Sequence, residues 1–243
     1  MITNSIRATI RTTGQQLVRA VMAGAFVALA GVASTWASMT ISDPAIKRLI
    51  AGCIFPAGLA MVGLTGAGLF TGCCLMSINV LNRTTKIGQM IRAWILVYLG
   101  NLAGSILIAW LVANGQVFSG YEEILIATAN AKLLEPTVAI CRGILCNILV
   151  CVGITMASKV NDAGSKVIVM FFPVAAFVIA GYEHSVANMY YFAVAQFVGA
   201  CLPIQKILQC NLIPVTIGNI IGGAIFLGGS LWYIQLPNRK SHT

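Results

Sequence analysis

Apolar residues run along this chain in long blocks, and the polar ones gather in short seams between them. A helix needs about 20 apolar residues to cross the hydrocarbon core of a bilayer. Residues 18–39, 93–113, 137–158 and 213–236 meet that length directly and are predicted as spans 1, 3, 4 and 6. The two remaining apolar regions, 49–81 and 166–202, are longer than a straight crossing requires, and each is interrupted by glycine, at 66–72 and at Gly181. Both are expected to be broken helices, spans 2 and 5. "GNLAG" at 100–104 recurs as "GNIIG" at 218–222, and an interrupted span precedes each copy. Two sets of three crossings must enter the bilayer from opposite sides, which predicts an inverted 3+3 repeat. Its glycines suit close helix packing.

Composition turns the pattern into a class. The 243 residues are 58% hydrophobic and 9% charged, with a mean hydropathy of +0.90, too apolar for a chain that must cover itself with polar surface. An all-α integral membrane protein is expected, a single transmembrane domain over 1–243. Its parts are an amphipathic amino-terminal segment (1–17), a first repeat (18–113), a second repeat (137–236) and a polar tail (237–243). The formal charge of +9 comes from scattered basic residues without a patch interleaved with aromatics, so nucleic acid is not expected as a partner. The charge reads as topology instead. With six spans and the amino terminus inside, ten Lys and Arg lie on the cytoplasmic side and five (Lys47, Arg48, Lys132, Arg142, Lys206) at or near the outer ends. The positive-inside rule then puts both termini in the cytoplasm of a multi-pass plasma-membrane protein. The eight cysteines form no C-x-x-C pair and sit mostly in apolar segments, as small packing residues do.

Backbone that leaves the helix at membrane depth must be buried in protein or line a watery cavity, because each unsatisfied polar group in lipid costs several kcal/mol. Two such breaks related by inversion point to a shared path. Half-helix amino termini there favour an anion or a polar acceptor. Glu183 and His184 stand at the second break, in "AGYEHSVANMYY", and an ionisable residue inside a membrane is a functional candidate by default. Histidine exchanges protons near neutral pH, so His184 is the candidate pore residue. A histidine bonded to a neighbouring carbonyl is the structural alternative. Glu183 is expected to satisfy backbone N–H groups of the opposite half.

"GLFTG" (68–72), "RGILCNILVC" (142–151), "GYEHSVANMY" (181–190) and "NLIPVTIGNIIGG" (211–223) together resemble the formate/nitrite transporter family, in the right order and over about residues 14–233. The resemblance implies an aquaporin-like six-helix protomer in a homopentamer in a prokaryotic inner membrane. Each protomer would carry its own pore for a small monovalent weak-acid anion such as formate, nitrite or hydrosulfide. It implies His184 as the central histidine, with Thr71 and Asn147 as polar partners. An outer constriction would fall on Phe55, Leu59 and Phe177, an inner one on Leu69, and a vestibule lysine on Lys132. Two positions depart from the family pattern: Gly68 replaces the acidic residue usual before "LFTG", and Cys73 takes a position often polar.

The physical task of such a pore is to carry charge past apolar constrictions, where a bare anion costs several kcal/mol and its protonated acid far less. Proton exchange with His184 is the expected solution. An aquaporin-like channel for neutral solutes is the alternative, although Asn-Pro-Ala pairs are absent. An enzyme is not expected: besides His184 the sole histidine is His242, and no metal cluster, activated nucleophile or phosphate-binding loop is present. No cofactor is expected.

Overall fold

Helix signals in the polar seams start most of the elements before the apolar blocks begin. The structure, a computed structural model, describes residues 12–236; residues 1–11 of the amino-terminal segment and the whole 237–243 tail, with Arg7, Arg11, Arg239, Lys240 and His242, lie outside the described residues. Thr12 and Gln15 form a reciprocal capping box at the start of α1 (Thr13–Ser38). Asp43 caps α2 (Pro44–Ile54), accepting from the N–H groups of Ala45 and Ile46, and Pro44 occupies the first turn, where a missing N–H costs nothing. After Pro56 the chain continues as α3 (Ala57–Thr65), and the backbone then leaves the helix until α4 (Phe70–Cys73). A 3₁₀ turn, Cys74–Met76, leads into α5 (Ser77–Leu81), and the long α6 (Ile87–Asn114) follows.

The second half opens with α7 (Glu122–Ala131) and α8 (Pro136–Ala157). Backbone N–H groups of Thr137 and Val138 hold the Glu135 carboxyl at the α8 amino terminus below the usual carboxylate range. Helix α9 (Ala163–Ile179) is capped by Asp162, and the backbone is again non-helical until α10 (Ser185–Phe197). The last long element runs from Ile204 to Ile234 as α11 (Ile204–Ile207), a π turn (Leu208–Leu212), α12 (Ile213–Ile220), a second π turn (Ile221–Leu227) and α13 (Gly228–Ile234). Proline at 214 has no N–H for the carbonyl one turn back. That carbonyl, on Cys210, accepts instead from Leu134 N–H at 3.3 Å, tying the element to the start of α8.

Five helical stretches are long and apolar enough to cross a membrane: Thr13–Ser38, Pro44–Thr65, Ile87–Asn114, Pro136–Ala157 and Ile204–Ile234. The apolar helices Phe70–Leu81 and Ala163–Ile179 are shorter. Large apolar side chains face outward along these helices, among them Phe172, Ile225 and Phe226. A lipid-facing surface explains that exposure.

The repeated glycines set two helix contacts. A Cβ at Gly104 of α6 would fall on the Val21 carbonyl of α1 and lie 2.8 Å from Ala25 N, and one at Gly218 of α12 would fall on the Ile140 carbonyl of α8. Backbones this close leave no room for a side chain. Gly218→Leu is therefore expected to destabilise the fold by about 3 kcal/mol, measured as a lowered thermal midpoint in detergent. An unchanged midpoint would contradict the contact.

The two non-helical stretches are bonded alike. Gly66 and Gly181 both take positive φ, 70° and 71°, a left-handed geometry that strains residues bearing a Cβ. The next N–H groups reach back to the helix just ended, Ala67 to Val62 at 3.1 Å and Tyr182 to Phe177 at 3.0 Å. Gly68 then donates to the Arg19 carbonyl at 3.0 Å, and Glu183 to the Arg142 carbonyl at 3.3 Å. Position 68 thus corresponds to 183, and 19 to 142.

Candidate functional site

Both stretches are held in place by asparagine. Asn101, inside "GNLAG", accepts from Phe70 N–H at 2.9 Å and donates to the carbonyls of Ala20 (2.7 Å) and Gly68 (2.8 Å). Asn219, inside "GNIIG", accepts from Ser185 N–H at 3.0 Å and donates to the carbonyls of Gly143 (2.8 Å) and Glu183 (3.0 Å). Each fully buried carboxamide supplies one acceptor and one donor to groups of the non-helical stretch that no helix satisfies, and its second donor ties that stretch to a carbonyl inside α1 or α8. In the sequence the glycines of the repeated motif are conspicuous, but the asparagine between them makes the bonds. Its signal was there, a carboxamide at membrane depth in both copies.

His184 is the N-cap of α10, and its Nδ1 accepts from Ala187 N–H at 3.1 Å. A nitrogen that accepts carries no proton, so the neutral ring bears its hydrogen on Nε2. Nε2 lies 3.0 Å from Thr71 Oγ1, and the ring donates there. The threonine hydroxyl keeps its own proton for a third partner. Phe177 stacks on the imidazole, 5.9 Å between centroids and 14° between planes, and meets Phe55 edge-on at 5.9 Å and 81°. His184 is therefore oriented by a backbone bond, a hydroxyl and a ring face.

Asn147 contacts this pair through the backbone. Its Nδ2 donates to the Thr71 carbonyl at 3.2 Å and to the Asn219 carbonyl at 2.6 Å, while Cys151 Sγ also points to the Thr71 carbonyl at 3.4 Å. Asn147 positions Thr71 instead of touching the imidazole. Phe55, Leu59, Leu69 and Phe177 are all buried in the same apolar cluster.

Glu183 departs from expectation. Its carboxylate, buried with the residue 4% exposed, accepts from Lys132 Nζ (3.2 and 3.3 Å) and from the side-chain amides of Asn188 (2.7 Å) and Asn211 (3.3 Å). All three partners belong to the second half, and none is a backbone N–H. The reason is that Asn219 already serves the backbone around the break. Asn211 also donates to the Lys132 carbonyl at 2.7 Å, which fixes the lysine at the end of α7. Lys132, expected as a vestibule residue, has a side chain 17% exposed, paired with Glu183 and lying 5.1 Å from the Tyr191 ring centroid. Neither Asn188 nor Asn211 was singled out from sequence: Asn188 lies only five residues from the carboxylate and shares its motif, while Asn211 reaches it from 28 residues away, and neither spacing announces the bond.

The formate/nitrite transporter family model matches residues 1–233. The formate channel FocA of Escherichia coli (strain K12) is 34% identical over 248 residues, covering 92% of this chain and 87% of that protein. The nitrite transporter NirC of Salmonella typhimurium is 35% identical over 222 residues, covering 89% and 81%. A solved pentameric formate channel with formate bound superposes with a TM-score of 0.79 at 31% identity, covering 91% of this chain and 97% of that one. With its apolar spans, its breaks and these matches along nearly its whole length, the chain belongs to the formate/nitrite transporter family.

Proposed function

We propose that this protein is a channel for small monovalent weak-acid anions, with its pore passing between Thr71 and His184. The observation that carries the reading is their 3.0 Å contact, with Phe177 stacked on the imidazole and packed in one buried apolar cluster with Phe55, Leu59 and Leu69. An anion stripped of water in such a slot pays several kcal/mol. The Thr71 hydroxyl, whose oxygen accepts from His184 Nε2–H, has its own proton to donate to the anion where no water can help.

Proton exchange asks more of the site. A neutral imidazole gives up its Nε2 proton usefully only if a second proton reaches Nδ1, and Nδ1 is occupied by Ala187 N–H. A transferring His184 must therefore loosen its cap on α10 or pass the proton through the Thr71 hydroxyl. Formate, nitrite and hydrosulfide all fit this chemistry, and similar identities to a formate channel and a nitrite transporter do not rank them.

The repeated bonds at 66–70 and 181–185, and their asparagines, support an inverted repeat of three plus three spans with spans 2 and 5 broken. The pentameric structural relative supports a homopentamer. The basic residues favour cytoplasmic termini in a prokaryotic inner membrane.

The test is uptake of formate, nitrite and hydrosulfide into liposomes from about pH 5 to about pH 8, with His184→Asn and Thr71→Val beside wild type. Asparagine preserves an N-cap acceptor for α10 and removes the ring donor. Each variant is expected to cut flux about tenfold or more and to flatten its pH dependence. Water permeation without anion flux in wild type would instead favour the neutral-solute channel.

A further inference from the structure

The corresponding positions of the two breaks differ in charge. At the second, Glu183 neutralises Lys132. At the first, position 68 is glycine and contributes no carboxylate, yet a guanidinium is present: a Cβ on Gly66 would fall on Arg19 Nη2. The counterpart of Arg19, Arg142, does not do the same, for its side chain is exposed and the equivalent point on Gly181 has nothing within 4 Å. All six acidic residues of the chain are among the described residues, and the one ion pair among them is that of Lys132 with Glu183. Arg19 therefore has no carboxylate within 4.0 Å there. Its charge stands beside the break that carries Leu69, three residues before that side chain.

We propose that Arg19 is an anion-attracting residue of the pore mouth on the Leu69 side, so that the two mouths take up a small monovalent anion with different affinities. The assignment rests on the channel reading above. An unneutralised cation beside a low-dielectric constriction raises the local concentration of anions. A guanidinium does so at every working pH, because it does not deprotonate. Arg19 also faces the carboxyl-terminal end of α3, where a cation is favoured by the helix dipole. That contact holds the guanidinium in position without removing its charge. The arrangement offers its own control: a Cβ at Gly68 meets only ordinary contacts of 3.7 Å or more, and Gly68 has no left-handed φ. A carboxylate can be added there without distorting the backbone.

The experiment measures initial formate uptake against formate concentration in membrane vesicles of both orientations, using the full chain as wild type, Arg19→Gln, Arg19→Lys and Gly68→Glu. From the Leu69 side, Arg19→Gln and Gly68→Glu are expected to raise the half-saturating formate concentration about fivefold. Uptake from the Phe55 side stays within about twofold, and Arg19→Lys behaves as wild type. Added inert salt narrows the difference between wild type and Arg19→Gln. A purely structural arginine gives the opposite result: lower thermal midpoints and less protein in the membrane, with half-saturation unchanged on both sides. That outcome, equal shifts on both sides, or Arg19→Lys failing like Arg19→Gln overturns the assignment while wild-type transport stands. No formate, nitrite or hydrosulfide uptake by wild type overturns the channel reading, and this assignment with it.

Discussion

Asn219→Leu is expected to destabilise the protein by about 3 kcal/mol or more and to abolish transport. Leucine keeps the branched shape and heavy-atom count of asparagine and leaves no cavity, so the loss is chiefly one of hydrogen bonds. The substitution strands Ser185 N–H and the Glu183 carbonyl, and it removes the tie to the Gly143 carbonyl of α8. Buried groups left without partners cost about 1–3 kcal/mol each, and no water is available at this depth to replace them. Because Ser185 and Glu183 flank His184 directly, the imidazole loses its alignment with Thr71 along with the stability. Thermal unfolding in detergent and anion flux in liposomes measure the two effects. Asn101→Leu is the parallel case, since it strands Phe70 N–H and the Gly68 carbonyl and removes the tie to the Ala20 carbonyl of α1. Wild-type flux in either variant would mean that the asparagines are only helix-packing residues.

The second large effect is expected at Glu183. Glu183→Ala leaves the Lys132 ammonium partly buried without its counter-charge and removes the acceptor shared by Asn188 and Asn211. Breaking one side of a buried pair typically costs about 3–5 kcal/mol. The lysine retains some contact with solvent, so about 2 kcal/mol is expected here. Lys132→Met alone strands the carboxylate, whereas Glu183→Gln with Lys132→Met removes both charges and keeps the amide contacts. A double-mutant cycle on the thermal midpoints, with Glu183→Gln and Lys132→Met as the two single variants, separates these terms. The double variant should recover most of the stability lost by Lys132→Met. Additive losses would show that the pair contributes nothing as a pair.

Much of the site was legible because its chemistry violates the composition around it. Glu183 and His184 stand out as ionisable residues in an apolar run, and Thr71 becomes visible through the motif that contains it. Their contact across 113 residues is what no local pattern carries. The asparagines were harder for a physical reason. Asn101 and Asn219 act through backbone groups of distant segments, so neither their neighbours nor their spacing announces what they bond. Lys132 is named by the resemblance, but its pairing with Glu183 is not legible there, since that depends on where α7 ends relative to the second non-helical stretch. The spans fared similarly. Their apolar blocks were plain, while their starts at Thr13, Ile87 and Ile204 depended on caps and turns in the polar seams.

By itself the sequence determined that the chain lives in a bilayer, where its long apolar stretches lie, and that glycine stands where the helix stops at positions 66 and 181. Those follow from transfer free energy and backbone conformational freedom, which are local properties. Only the tertiary structure decided which side chains satisfy the bent backbone, that the His184 ring is held with its hydrogen toward Thr71, and that Glu183 belongs to Lys132. In lipid there is no water to complete a hydrogen bond, so each partner must come from another helix. Which helix supplies it is settled by packing.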